Sequence, residues 1–142
     1  MEFKNIAARI SGRTDYQAMK QYRHHLKGNT YRHSLKVAYL CYLHYKKHGG
    51  KDLMKLIRGA LLHDFYLYDC HARPRPHRFH LLRHPRIALR NAQAAFPELD
   101  ATERDIILHH MFPLTPIPPR TREGWIVCIY DKIAAISDLI DG

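Results

Sequence analysis

Cysteine is sparse in this chain: Cys41, Cys70 and Cys128 are the only three in 142 residues, far apart and without a Cys-x-x-Cys pair. An odd, scattered set excludes a disulfide framework and a thiolate zinc site, so reduced thiols are expected, two of them buried. Long apolar runs are missing as well. Stretches such as Gly59-Ala60-Leu61-Leu62 fall far below the roughly 18 residues that span a bilayer. The opening Met-Glu-Phe-Lys-Asn-Ile lacks the apolar core of a secretion signal. A cytoplasmic chain that stays off the membrane is therefore expected. Glycine (7) and proline (8) are too few for a fibrous or disordered chain, and 46% apolar against 25% charged residues reads as a packed globule. Residues 1–142 have room for one domain, with a core expected over about 30–139.

Acidic residues are also few. Thirteen Asp and Glu face 23 Lys and Arg, a net charge of +10, and the imbalance is local. Residues 20–90 hold 16 basic side chains against Asp52, Asp64 and Asp69, a balance of +13, while the remainder carries −3. The stretch 71–90 has six arginines and no acid, which suits phosphate groups through bidentate guanidinium contacts. The bland reading is a solvated basic face that keeps the protein soluble.

Against these absences stand 12 histidines and a helical periodicity in nearly every segment. The fold class is therefore all-α, a helical bundle of five to seven helices. A weak first helix is expected over 14–26 with Thr14 as its cap, and a longer one over 30–48, capped by Thr30 and stopped by Gly49-Gly50. The next spans about 51–63 and ends on His63-Asp64. Residues 66–80, with Pro74 and Pro76, read as a loop that could serve as a lid or rim. Further helices begin near His84-Pro85, at Asp100 or Thr102, and over 121–139. In the last of these Asp131 falls within the apolar stripe of Val127, Cys128, Ala134 and Ala135.

A His-Asp dipeptide alone carries no signal, since this composition yields roughly 0.8 of them by chance. Context supplies it. His63-Asp64 closes the apolar run Leu61-Leu62, His33 lies beside the core stripe of the preceding long helix, and Asp131 lies in that of the last. Buried carboxylates and imidazoles are costly without partners, and these four could compensate one another by sharing a cation. His84 and the adjacent His109 and His110 extend the set toward a second metal. Two cations about 3.5–4 Å apart suit phosphate esters, and Asp64 is the natural bridge because a carboxylate can span two ions where an imidazole serves one. Imidazole plus carboxylate without thiolate fits Fe, Mn, Zn, Ni or Co and disfavours Ca.

The order His33, His63-Asp64, His84, His109-His110, Asp131 resembles the HD-domain metal-dependent phosphohydrolases. The phrases that carry it are Tyr-Arg-His-Ser-Leu-Lys-Val-Ala (31–38), Gly-Ala-Leu-Leu-His-Asp (59–64), Arg-His-Pro-Arg-Ile-Ala (83–88) and Ile-Ile-Leu-His-His-Met (106–111). The chain looks like a small stand-alone bacterial member. The resemblance implies a first metal on His33, His63, Asp64 and Asp131, and a second on His84 with His109 or His110. His110 is favoured because it lies i+4 from Ile106 and i+3 from Ile107. It also implies one or two divalent transition-metal ions, Asp64 and His63 as the catalytic pair, and hydrolysis of a phosphate ester or anhydride by a metal-bound hydroxide. A small phosphorylated molecule, a nucleotide first among them, is the expected substrate, with Arg83, Arg86 and Lys132 as its contacts.

The remaining histidines, His24, His25, His44, His48, His71, His77 and His80, have no matching partners and read as solvated or locally hydrogen-bonded. Phe65, Tyr66 and Tyr68 read as core ahead of a stacking platform for a nucleobase. Two rival functions use the same residues: a metal-bound sensor without turnover, and a nucleic-acid-binding module built on the basic 20–90 stretch. The latter lacks a reading motif and leaves the buried ligand residues unexplained. Nothing in the pattern fixes an oligomeric state.

Overall fold

A computed structural model describes residues 2–21, 29–66 and 80–141, apart from the side chains of His80, Leu81 and Asp141. Among the described residues seven α-helices run in the order α1 (Glu2–Ser11), α2 (Thr14–Gln17), α3 (Thr30–His48), α4 (Leu53–Leu62), α5 (His80–Ala95), α6 (Ala101–His109) and α7 (Arg122–Asp141), with a 3-10 turn (Ala18–Gln21) after α2. Among the described residues there is no strand, so the all-α bundle holds.

Helix starts follow side-chain chemistry. Asn29, in extended conformation, accepts the Arg32 N–H at 2.8 Å and caps α3, one residue ahead of the expected Thr30. Asp52 caps α4 through the Lys55 N–H. Asp100 opens α6 with a reciprocal capping box, its carboxylate on the Glu103 N–H and the Glu103 carboxylate on its own N–H. Ahead of α7 the Thr121 hydroxyl accepts the Gly124 N–H at 2.9 Å. The stop after α3 is Gly49 at φ 74°, a conformation in which a side chain would be strained.

Helix α4 is the axis of the bundle, packed by α1, α3, α6 and α7, and its Leu56, Ile57, Ala60, Leu61 and Leu62 are all buried. Val37, Ala38 and Cys41 of α3, Ala88 and Ala92 of α5, Ile106 and Ile107 of α6, and Val127 and Ala134 of α7 close around it. The Tyr16 hydroxyl donates to the Leu61 carbonyl at 2.6 Å, satisfying one of the unpaired acceptors at the end of α4. Phe65 and Tyr66 are fully inside, as the core reading requires, and are no platform for a base.

Three expectations need correction. Helix α1 was not anticipated, although Phe3, Ile6, Ala7 and Ile10 follow i, i+3, i+4, i+7 and the last three are buried. Thr14 does not cap: Arg13 stands at the cap position without a side-chain bond, and the α-helix gives way to the 3-10 turn after one turn. Helix α5 starts at His80, so Pro85 lies inside it rather than in its first turn. Residues 22–28 of the expected 14–26 helix and residues 67–79, with Tyr68, Cys70, His71, His77 and three of the six arginines of 71–90 (Arg73, Arg75 and Arg78), fall outside the described residues, as do His24 and His25.

Candidate metal centre

Two helices end on a histidine held in the same way. His63 follows α4 and His110 follows α6, both in right-handed helical conformation at the C-cap. In each the ring turns back on its own helix: His63 Nδ1–H donates to the Ala60 carbonyl at 2.6 Å and His110 Nδ1–H to the Ile107 carbonyl at 2.8 Å. The bond satisfies an otherwise unpaired C-terminal carbonyl and fixes the tautomer, so each neutral ring presents Nε2 as a bare lone pair.

Asp64, next to His63, lies between four rings. Its Oδ2 is 3.4 Å from His63 Nε2 and 3.7 Å from His33 Nε2; its Oδ1 is 3.0 Å from His84 Nε2 and 3.3 Å from His110 Nε2. Asp131, from the middle of α7, closes the first side with Oδ1 at 2.7 Å from His33 Nε2 and 3.1 Å from His63 Nε2. On the second side His84 Nε2 and His110 Nε2 are 2.9 Å apart. Two donor sets result, His33, His63, Asp64 and Asp131, and Asp64, His84 and His110, each with ligand atoms within 4.8 Å of one another.

These side chains are buried, and their electrostatics reflect it. Burial opposes a charged His33, but the hydrogen bonds to Asp131 and Asp138 outweigh it and push its pKa up to about 10. Burial is likewise overridden at His63 by Asp64 and Asp131, which raise its pKa. The same bonds keep Asp131 well below the usual carboxylate range although burial works against ionisation. His110 goes the other way: burial, together with His63 and His84 nearby, lowers its pKa despite Asp64.

The donor chemistry fits a divalent cation. Lone pairs of His63 and His110 face carboxylate oxygens and a second imidazole, so acceptors confront acceptors, and a shared cation is the partner that satisfies them together. Four imidazoles and two carboxylates with no thiolate match the borderline transition metals. The two described cysteines, Cys41 and Cys128, belong to neither set.

Of the residues expected from sequence, the structure brings together His33, His63, Asp64, His84, His110 and Asp131. It does not bring His109 to them, because that ring pairs with Asp105 through Nδ1 at 2.8 Å. Lys132 is turned back onto the His110 carbonyl at 3.1 Å and the Cys128 carbonyl at 3.3 Å, and so ties α7 to the end of α6. Arg83 and Arg86 flank His84 on the exposed side of α5. Sequence reasoning missed Asp138, whose Oδ2 lies 3.5 Å from His33 Nδ1 while Oδ1 holds Lys36 Nζ at 2.7 Å. The signal was its place at i+7 from Asp131 on the same face of one helix.

The HD-domain family model matches residues 30–136. The chain belongs to the HD-domain family. All six residues of the two donor sets lie inside that span, and Asp138 lies just beyond it. HD domains belong to a superfamily of metal-dependent phosphohydrolases that bind divalent metals, and this HD domain carries a His and Asp cluster compatible with that chemistry. No curated protein matches the sequence. No helix of this HD domain, among the described residues, is long and apolar enough to cross a membrane.

Proposed function

We propose that this HD domain hydrolyses a phosphate ester or anhydride of a nucleotide, using two divalent transition-metal ions drawn from Fe, Mn, Zn, Ni and Co. The observation that supports it most is the division of one carboxylate, with Asp64 Oδ2 toward His33 and His63 and Oδ1 toward His84 and His110. In this reading His33, His63, Asp64 and Asp131 would hold the first ion, and Asp64, His84 and His110 the second. Such ions supply Lewis acidity, ionising a water near neutral pH and neutralising phosphoryl oxygens. The protein's own part is orientation. The Ala60 and Ile107 carbonyls hold the His63 and His110 rings with Nε2 inward, and Asp138 does the same for His33 through Nδ1. Lys132 keeps the end of α6 against α7, and Arg83 and Arg86 offer guanidinium groups to the anion beside His84. A nucleic-acid-binding module would leave these six converging buried groups without a purpose.

The test is Asp64→Ala in a chain purified without chelator and with oxygen excluded. Elemental analysis should find close to two transition-metal ions per wild-type chain and most of them lost in the variant. Hydrolysis of nucleotides should disappear while the helical circular dichroism stays. Turnover retained by the variant, or no metal on the wild type even after reconstitution, would overturn the proposal.

A further inference from the structure

Helix α7 is apolar on both of its sides. The inward side, with Val127, Cys128 and Ala134, belongs to the core and brings Asp131 to the metal centre. Its polar residues are turned to neighbouring elements: Ser137 and Asp138 accept from Lys36 Nζ at 2.9 and 2.7 Å, Tyr130 Oη meets His44 Nδ1 at 3.0 Å, and Lys132 donates to the His110 carbonyl. What remains outside is Trp125, Ile129, Ile133, Ile136, Leu139 and Ile140, which with Arg122 are the exposed positions among the described side chains of the helix. A surface helix ordinarily presents polar groups to water, and one that is apolar all round belongs inside.

The exposed face is continuous and large. Trp125, Ile129, Ile133, Ile136 and Ile140 follow one line along α7 over about 22 Å. Their exposure runs from 40% at Trp125 to 77% at Ile140, and with Leu139 they leave roughly 600 Å² open per chain, the upper limit for the largest apolar patch on a typical monomer. Two such faces brought together remove about 1,200 Å², which reaches the range of specific protein interfaces. Leu114, half exposed across a groove from Ala135, widens the face. Trp125 is braced at one end by the Phe112 ring, nearly perpendicular to it at 5.6 Å between centroids, so a large aromatic anchor is already fixed in place.

The pattern of the stripe says what covers it. A twofold axis crossing the helix between Lys132 and Ile133 sets Trp125 opposite Ile140 of a second copy and Ile129 opposite Ile136, because the members of each pair are equally far from it in sequence, and the two Ile133 side chains meet at the centre. A face that matches itself under such an axis is what a symmetric dimer requires. The run 129, 133, 136, 140, spaced four, three and four, is also the seam along which two α-helices interlock. Charge allows the pairing, since the basic 20–90 stretch lies elsewhere in the chain and the stripe itself carries no charge. A lipid surface is disfavoured: α7 has Arg122 and Lys132 against Glu123, Asp131, Asp138 and Asp141, without the basic flanks that hold an amphipathic helix to anionic headgroups. We infer that the exposed face of α7 is the interface of a homodimer in which two α7 helices pack antiparallel about Ile133. The inference is independent of the phosphohydrolase reading.

Sedimentation velocity of the full chain over a concentration series tests this. Wild type should sediment as a species of twice the 16.7 kDa chain mass, with a dissociation constant of about 10 µM or below. Ile133→Glu sets two carboxylates against each other at the axis and should raise that constant about a hundredfold or more, with helical circular dichroism and metal content unchanged. Oxidative cross-linking fixes the direction of the helices. Ile133→Cys should form a disulfide between copies above the wild-type background, whereas Ile140→Cys should not, because in the antiparallel pair its two copies stand about 22 Å apart. A wild type that stays monomeric about tenfold above 10 µM, including one that partitions onto phosphatidylcholine vesicles instead, would overturn the inference. So would a dimer as tight in Ile133→Glu as in wild type, or cross-linking through Ile140→Cys as readily as through Ile133→Cys.

Discussion

At position 138 a single carboxylate outside both donor sets stands behind one of their histidines. Asp138 Oδ2 faces His33 Nδ1 at 3.5 Å while Lys36 Nζ neutralises Oδ1 at 2.7 Å, and His33 and Lys36 together hold the Asp138 pKa down at about 2. A carboxylate behind a ligating imidazole fixes the ring and raises its basicity, and losing one costs metal affinity by roughly 10–100-fold. Asp138→Ala is therefore expected to weaken metal binding by about that factor, with helical content intact. Asp138→Asn retains an acceptor for Nδ1–H and should recover part of the loss. Competition with a fluorescent chelator measures both, and equal affinities for wild type and Asp138→Ala would remove Asp138 from the site.

Between elements, the position of the centre depends on how closely α4 approaches α6. A Cβ added at Gly59 would stand 2.5 Å from the Ile106 Cδ1 methyl, 3.0 Å from Cγ2 and 3.1 Å from Cβ, and the last two are not the free end of a flexible side chain. Gly59 precedes His63 by one turn and Ile106 precedes His110 by one turn, so this contact sets the 4.7 Å between the His63 and His110 ring centroids. Gly59→Ala would gain about 0.5–1 kcal/mol of helix propensity and lose about 1–3 kcal/mol to overpacking. A net fall in Tm of about 2–6 °C follows for a domain of this size, along with weaker metal binding. Ile106→Val, which removes the nearest methyl, should restore part of each. A more stable Gly59→Ala chain would show that the two helices can part freely.

Much of this arrangement was legible in the residues. Asp52 and Asp100, both at helix starts, announce α4 and α6, and Gly49 announces the end of α3. The convergence of His33, His63, Asp64, His84, His110 and Asp131 was legible because polar residues inside apolar stripes need a reason. What escaped was decided by contacts distant in sequence or by backbone geometry at helix ends. Helix α1 is short and earns its place by packing Ile6, Ala7 and Ile10 on α4. His109 and His110 differ by about 100° around a helix, and the choice between them turns on α6 stopping at His109, which lets His110 fold back onto Ile107 while Asp105 captures its neighbour.

For the whole molecule, charge is the property that no local packing explains. Residues 20–90 contribute +13 and the rest −3, and Arg83 and Arg86, which flank His84 in sequence, belong to the basic part. Such a distribution raises the local concentration of anions and their encounter rate, and it is screened as the Debye length shrinks from about 14 Å at 0.05 M salt to about 4 Å at 0.5 M. For a phosphate-bearing substrate, kcat/KM should therefore fall by about tenfold over that range. The kcat value should change little, because the groups around Asp64 are buried and poorly screened. Arg86→Ala should flatten the salt dependence, whereas Arg104→Ala, outside the basic stretch and with its guanidinium on the Leu99 carbonyl, should leave the slope as it is. Steady-state rates across a sodium chloride series decide the matter: a kcat/KM indifferent to salt would mean that the basic stretch faces away from the path by which substrate arrives.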